Sequence, residues 1–192
     1  RKEKKTEPYT DFGMAPFYNS LPFSLTGAQN RAVGEILEDF RRGVPMNRLV
    51  QGDVGFGKTA VAEAAMYKAV RGGCQAVMMA PTEILAHQHF EGLRKSFAAH
   101  GIRVGFLSGS LKASEKREIL EQLKDGQIDI LVGTHAVIQP EVEFARLGLV
   151  ITDEQHRFGV NQRIRLKEKG QNPNVLVMTA TPIPRTLAVV LY

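Results

Sequence analysis

The stretch Gly52-Asp53-Val54-Gly55-Phe56-Gly57-Lys58-Thr59 constrains this chain more tightly than any other. It reads G-x-x-x-x-G-K-T without a mismatch, and its flanks matter as much as the string. A short apolar strand candidate, Arg48-Leu49-Val50-Gln51, precedes it, and a helical run from Ala60 to Val70 follows and ends at Gly72-Gly73. Strand, glycine-rich turn and helix N-terminus are the context that separates a phosphate-binding loop from a chance match. The glycines let successive backbone N–H groups turn inward, where the helix dipole and its unpaired donors favour an anion. Lys58 offers a point charge to the β and γ phosphates, and Thr59 offers a hydroxyl to Mg²⁺. The chain reads as one that binds a nucleoside triphosphate or descends from one that did.

The rest of the chain supplies the sheet that such a loop needs. Ala76–Ala80, Ile102–Leu107, Ile128–Val132, Leu147–Ile151 and Val175–Thr179 are apolar strand candidates. Between them lie helical patterns: one from Thr26 with Ala28, Ala32, Val33, Ile36, Leu37 and Phe40 on a stripe, one with Ala86, Phe90, Leu93 and Phe97, and a charged one over 114–124. Alternating strands and helices predict an α/β fold, a mainly parallel sheet with helices on both faces. In such sheets ligands collect at the carboxyl ends of the strands. Residues 1–22 carry Pro8, Pro16 and Pro22 with little periodicity and read as a linker before a domain over 23–192. The last residues, Thr186 to Tyr192, read as an apolar helix. An uncovered apolar end and the lack of an initiator Met suggest a piece cut from a longer protein.

Composition narrows the setting without choosing the chemistry. At 192 residues the chain is long enough for one domain with a substantial core. No run is long and apolar enough for a bilayer span, so no membrane partner is expected. A single cysteine, Cys74, allows no internal disulfide and fits a reducing cytoplasm. The net charge of +5 permits a polyanionic partner but does not require one.

An acid at the tip of an apolar strand completes a nucleotide site of this kind. Val150-Ile151-Thr152-Asp153-Glu154-Gln155-His156 provides it. Asp153 is the candidate to hold Mg²⁺ through water, opposite Thr59, and Glu154 to orient and deprotonate the attacking water. A polar turn or a helix N-terminal charge would look the same in isolation. Downstream of an intact phosphate loop in the same sheet, the catalytic reading is the stronger.

These motifs resemble those of superfamily 2 helicases and translocases of the DExH type. Thr179-Ala180-Thr181 is similar to the family motif that couples the acidic motif to movement. Ala80-Pro81-Thr82-Glu83 and Gly133-Thr134-His135 resemble motifs that touch a nucleic-acid backbone, and Ser108-Gly109-Ser110 lies in a loop of similar placement. Leu25-Thr26-Gly27-Ala28-Gln29 resembles the adenine-recognising glutamine motif, with Phe23 available to pack on the base. Longer strings resemble the RecG family, bacterial ATP-dependent helicases that remodel branched DNA and stalled forks. They are Leu21 to Gln29, Asp153 to Val160, and Thr179-Ala180-Thr181-Pro182-Ile183-Pro184-Arg185-Thr186. Phe56 departs from that pattern: RecG loops usually carry Ser there, and Phe is more usual in Mfd, the transcription-repair coupling translocase. The two families share the later motifs; the sequence before Gln29 and Gln155-His156-Arg157 favour RecG.

The resemblance implies the first RecA-like P-loop NTPase lobe of a two-lobed motor. Gln155 and His156 with Thr179 to Thr181 would link nucleotide to DNA, and forked or branched DNA would be the partner. The second RecA-like lobe and a DNA-junction wedge domain would come from the same full-length chain. The second lobe donates an arginine to the transition state, an effect of about 10³ to 10⁵ in rate in related enzymes. The lobe alone is therefore expected to bind nucleotide weakly, turn over slowly and unwind nothing.

Plainer readings stand beside these. Thr26-x-x-Gln29 ahead of an apolar stripe is also a capping box, and Thr82 is also a good N-cap. His87 and His89, two apart on a helix, point to nearly opposite sides and read as surface residues rather than metal ligands. The run Arg163, Arg165, Lys167, Lys169 reads as a solvated face. A P-loop kinase would use the same phosphate cradle but leaves the strings at Asp153 and Thr179 unexplained. A non-catalytic DNA-binding module is disfavoured by intact Lys58, Thr59, Asp153 and Glu154.

Overall fold

Short apolar runs without polar alternation are the mark of strands buried on both faces, and here they assemble into one sheet. The structure is a computed structural model that describes residues 6–42, 47–51, 58–153, 168–169, 173–179 and 188–191. In chain order the elements are α1 (Thr6–Ser20), α2 (Gly27–Arg42), β1 (Asn47–Gln51), α3 (Lys58–Arg71), β2 (Gln75–Met79), α4 (Glu83–Ala98) and β3 (Val104–Leu107). They continue with α5 (Ala113–Lys124), β4 (Ile130–Gly133), a 3₁₀ turn (His135–Ile138), β5 (Leu147–Asp153), β6 (Asn174–Thr179) and β7 (Ala188–Leu191). The strand order across the sheet is β3-β4-β2-β5-β6-β1-β7. Every neighbouring pair is parallel except β1 and β7. The expected mainly parallel α/β sheet is the observed one.

Period-two alternation divides the core into two layers. Ala76, Met78, Ile130, Val132, Leu149, Ile151, Leu176 and Met178 face one side, where they meet α1 to α4. Val77, Met79, Leu131, Val150, Val175 and Val177 face the other, against Leu123 of α5 and residues 136–138. Helix α3 is buried on nearly every side from Ala60 to Tyr67. A helix apolar all round needs an outer cover, and α1 and α2 both pack on it. At the amino end of the sheet, buried Gln75 on β2 donates to Leu123 O at 2.9 Å and Ile128 O at 2.8 Å, and accepts from Arg146 N at 2.8 Å.

Two expectations are corrected. The linker over residues 1–22 contains helix α1, with Met14 and Phe17 fully buried in the core. Pro16 inside that helix costs about 3 kcal/mol. Burying Met14 and Phe17 contributes about 1.5–3 kcal/mol each, which outweighs it. The stripe Met14, Phe17, Tyr18, Leu21 is helical spacing that the three prolines obscure. The apolar end read as a helix contains strand β7 instead, antiparallel to β1, with Val50 opposite Val189 and Leu49 opposite Val190. Valines suit a strand, and β1 would otherwise present a row of unpaired backbone groups.

Two residues test this packing. A Cβ on Gly133 would lie 2.1 Å from Leu107 O and 2.7 Å from Val137 Cγ1, so glycine is required there by close backbone approach. Gly133→Ala should destabilise the protein by roughly 3 kcal/mol in denaturant unfolding. Glu63, buried on α3 and accepting from Ser96 Oγ at 3.2 Å, has its carboxyl pushed up to about 7, chiefly by burial. The folded state therefore binds more protons than the unfolded one between pH 4.5 and about 7. Stability should fall as pH rises across that window, by at most about 1.4 kcal/mol per pH unit, and level off above it. Glu63→Gln should flatten that part of the profile in thermal melts at graded pH.

Candidate functional site

Parallel register brings the carboxyl ends of the strands to one edge, and the sequence motifs fall along it. Gln51, the last residue of β1, lies opposite Thr179, the last of β6, and Asp153, the last of β5, lies opposite Met178. Asp153 is thus separated from the exit of β1 by the width of β6, about 10 Å at ordinary strand spacing. The chain re-enters the described structure at Lys58, the first residue of α3, so β1 precedes the motif and α3 follows it. Thr59 is exposed in the first turn of that helix. The loop residues Gly52, Asp53, Val54, Gly55, Phe56 and Gly57, and also Glu154, Gln155, His156, Ala180 and Thr181, lie outside the described residues. The side chains of Lys58 and Thr179 do too.

The oxygen donors at this edge suit Mg²⁺. Thr59 supplies a hydroxyl and Asp153 a carboxylate, both hard ligands. Among the described residues no group of three or more His, Cys, Asp or Glu side chains forms a metal cage.

His89 corrects the sequence reading, which took it for a surface residue. Its Nε2 lies 3.2 Å from Asp153 Oδ2, and the two side chains are only 18% and 19% exposed. A carboxylate only accepts, so the imidazole nitrogen is the donor. The signal was helical spacing: residue 89 is three after buried Ala86 and four before buried Leu93, hence on the inner stripe of α4. His87 points outward as expected and stacks on Phe106, with ring centroids 4.1 Å apart.

Upstream of the loop, Thr26 and Gln29 form the capping box of α2. Gln29 N donates to Thr26 Oγ1 at 3.1 Å, and Thr26 N donates to Gln29 Oε1 at 2.8 Å. Gln29 is buried, whereas Phe23 is half exposed and lines an open cleft of about 570 Å³ with Tyr18, Leu21, Pro22 and Leu25.

The motifs likened to nucleic-acid contacts occupy the other half of the same edge. Pro81 and Thr82 follow β2, Thr134 and His135 follow β4, and Ser108 follows β3. Thr82 is exposed and caps α4, its hydroxyl accepting from Leu85 N at 3.2 Å. Glu83 accepts from both Ser108 Oγ and Ser110 Oγ. These hydrogen bonds, the Ser108 one first, hold its carboxyl below the usual carboxylate range. Glu83 thereby ties the start of α4 to the loop after β3.

Known proteins resemble this chain in sequence and fold. The family model described as DEAD/DEAH box helicase matches residues 26–190. The chain is 60% identical over 173 residues to the ATP-dependent DNA helicase RecG of Streptococcus pneumoniae, covering 90% of this chain and 26% of that protein. It is 57% identical over 176 residues to RecG of Bacillus subtilis, covering 92% and 26%. A solved structure of RecG bound to a three-way DNA junction superposes with a TM-score of 0.80 and 47% identity, over 95% of this chain and 24% of that one. The chain thus spans about a quarter of the length of these relatives. With the family match extending over most of its residues, this chain belongs to the DEAD/DEAH box helicases, and within them it resembles RecG.

Proposed function

We propose that this chain is the first motor lobe of an ATP-dependent DNA helicase of the RecG kind, acting in the cytoplasm on branched or forked DNA. The observation that carries the proposal is the shared carboxyl edge. Asp153 and the exit from β1 flank β6 there, while the ends of β2, β4 and β3 continue the same line. The relatives that match most of this chain are RecG proteins, one of them seen on a three-way junction. They favour that reading over an Mfd-type translocase, despite Phe56. The lobe takes residues 23–192, and α1 braces it by covering α3.

The chemistry follows from where charge must be met. The loop from Gly52 to Gly57 cradles phosphates with backbone N–H groups, and Lys58 neutralises charge on the β and γ phosphates. Thr59 and Asp153 would hold Mg²⁺, which would supply positive charge against the phosphates. Glu154 orients the attacking water and accepts its proton at a carboxylate oxygen. Phe23 packs on the adenine and Gln29 reads its edge, using a side chain that the capping box has already oriented. Gln155, His156, Thr179, Ala180 and Thr181 pass the state of the nucleotide to Pro81, Thr82, Glu83, Gly133, Thr134 and His135, which meet the DNA backbone. The second lobe supplies the arginine and the wedge domain the junction, so unwinding requires the longer protein.

Two experiments test this. In the intact protein, ATP turnover with Mg²⁺ should rise with forked DNA. Lys58→Ala should remove nucleotide binding, and Glu154→Gln should lower kcat by 10²-fold or more while binding persists. DNA-stimulated turnover that survives Glu154→Gln would refute the assignment. Thr82 separates capping from DNA contact. Thr82→Ala should cost about 1 kcal/mol of stability, whereas Thr82→Asp should keep the cap yet weaken DNA binding through phosphate repulsion. Thermal melts and fluorescence anisotropy at fixed salt read the two effects.

A further inference from the structure

We propose that His89 is a positioning residue for the metal-binding carboxylate, orienting Asp153 from helix α4. The inference rests on the reading of Asp153 as the Mg²⁺ carboxylate given above. Asp153 ends β5, so its carboxyl stands at the strand tip. The hydrogen bond of 3.2 Å from His89 Nε2 to Oδ2 restrains rotation of the carboxyl about χ2. Both groups are about four-fifths shielded from solvent, so water competes weakly for the bond. Side chains that hydrogen-bond a metal-holding carboxylate fix its orientation, and their loss typically costs 10- to 100-fold in metal affinity.

The location of His89 gives this bond a second consequence. Helix α4 begins at Thr82 and Glu83, on the half of the edge likened to a DNA surface, and packs over β3 and β4. Asp153 belongs to the nucleotide half, on β5. The hydrogen bond from α4 to the tip of β5 joins the two halves, so a shift of α4 moves the donor that orients the metal ligand. None of the family motifs recognised in the sequence contains His89.

The test is the Mg²⁺ dependence of nucleotide binding by the intact protein, read with a fluorescent non-hydrolysable ATP analogue at graded free Mg²⁺ and in EDTA. His89→Ala should raise the Mg²⁺ concentration at half-saturation by about 10- to 100-fold and leave affinity in EDTA unchanged. His89→Asn, too short to reach Oδ2, should do the same, and His89→Gln, which carries an N–H at similar reach, should recover most of the loss. Asp153→Asn provides the reference. If Asp153→Asn shifts the Mg²⁺ response and all three His89 variants do not, the positioning role is overturned and the metal site stands. If Asp153→Asn leaves the response intact, the reading of the metal site fails and this inference falls with it. Equal weakening by the His89 variants in EDTA and in Mg²⁺ would mark His89 as structural only and overturn the proposal.

Discussion

The pairing of β5 between β2 and β6 fixes where Asp153 stands, and the candidate site depends on that. Met78 lies opposite Ile151 on one side, and Val175 lies opposite Val150 on the other. Because side chains alternate with period two, a one-residue slip would turn Asp153 to the opposite face of the sheet. Leu149, Val150 and Ile151 oppose such a slip: all three are fully buried, and the two layers they fill are differently covered. The place of Asp153 at the edge thus depends on apolar packing in the centre.

Along that edge the strand order sorts the chemistry. Strands β5, β6 and β1 carry the half proposed for the nucleotide, and β2, β4 and β3 carry the half likened to a nucleic-acid surface. The boundary runs between β2 and β5, which are direct neighbours. Two contacts tie α4 into this arrangement from opposite directions. Glu83, at its start, is held by Ser108 and Ser110, and His89, two turns on, reaches Asp153. Helix α4 is thus held at its start to the loop after β3 and further along to the tip of β5.

Much of this was legible in the sequence, for physical reasons that also mark where legibility ended. The strands were readable because doubly buried strands carry short continuous apolar runs, as Ala76–Met79 of β2 and Leu149–Ile151 of β5 do. The place of Asp153 at a strand tip was readable because it closely follows such a run. Helix α1 was hidden by prolines whose cost is met by Met14 and Phe17, a tertiary gain invisible locally. Strand β7 was misread because what decides it is the open edge of β1, far away in sequence. His89 was missed because it was weighed only against His87 as a metal pair. The stripe that turns it inward is visible in the sequence as Ala86 and Leu93, but its partner, Asp153, lies 64 residues further along the chain.

The central claim is that one sheet edge couples nucleotide to DNA, and reciprocal binding tests it most directly. The affinity of the intact protein for forked DNA would be measured with and without a Mg²⁺-bound, non-hydrolysable ATP analogue, and the affinity for the analogue with and without the fork. The account predicts the same factor in both directions, about fivefold or more. Affinities that do not respond to the other ligand would contradict it, because the two halves of the edge would then be neighbours without being coupled.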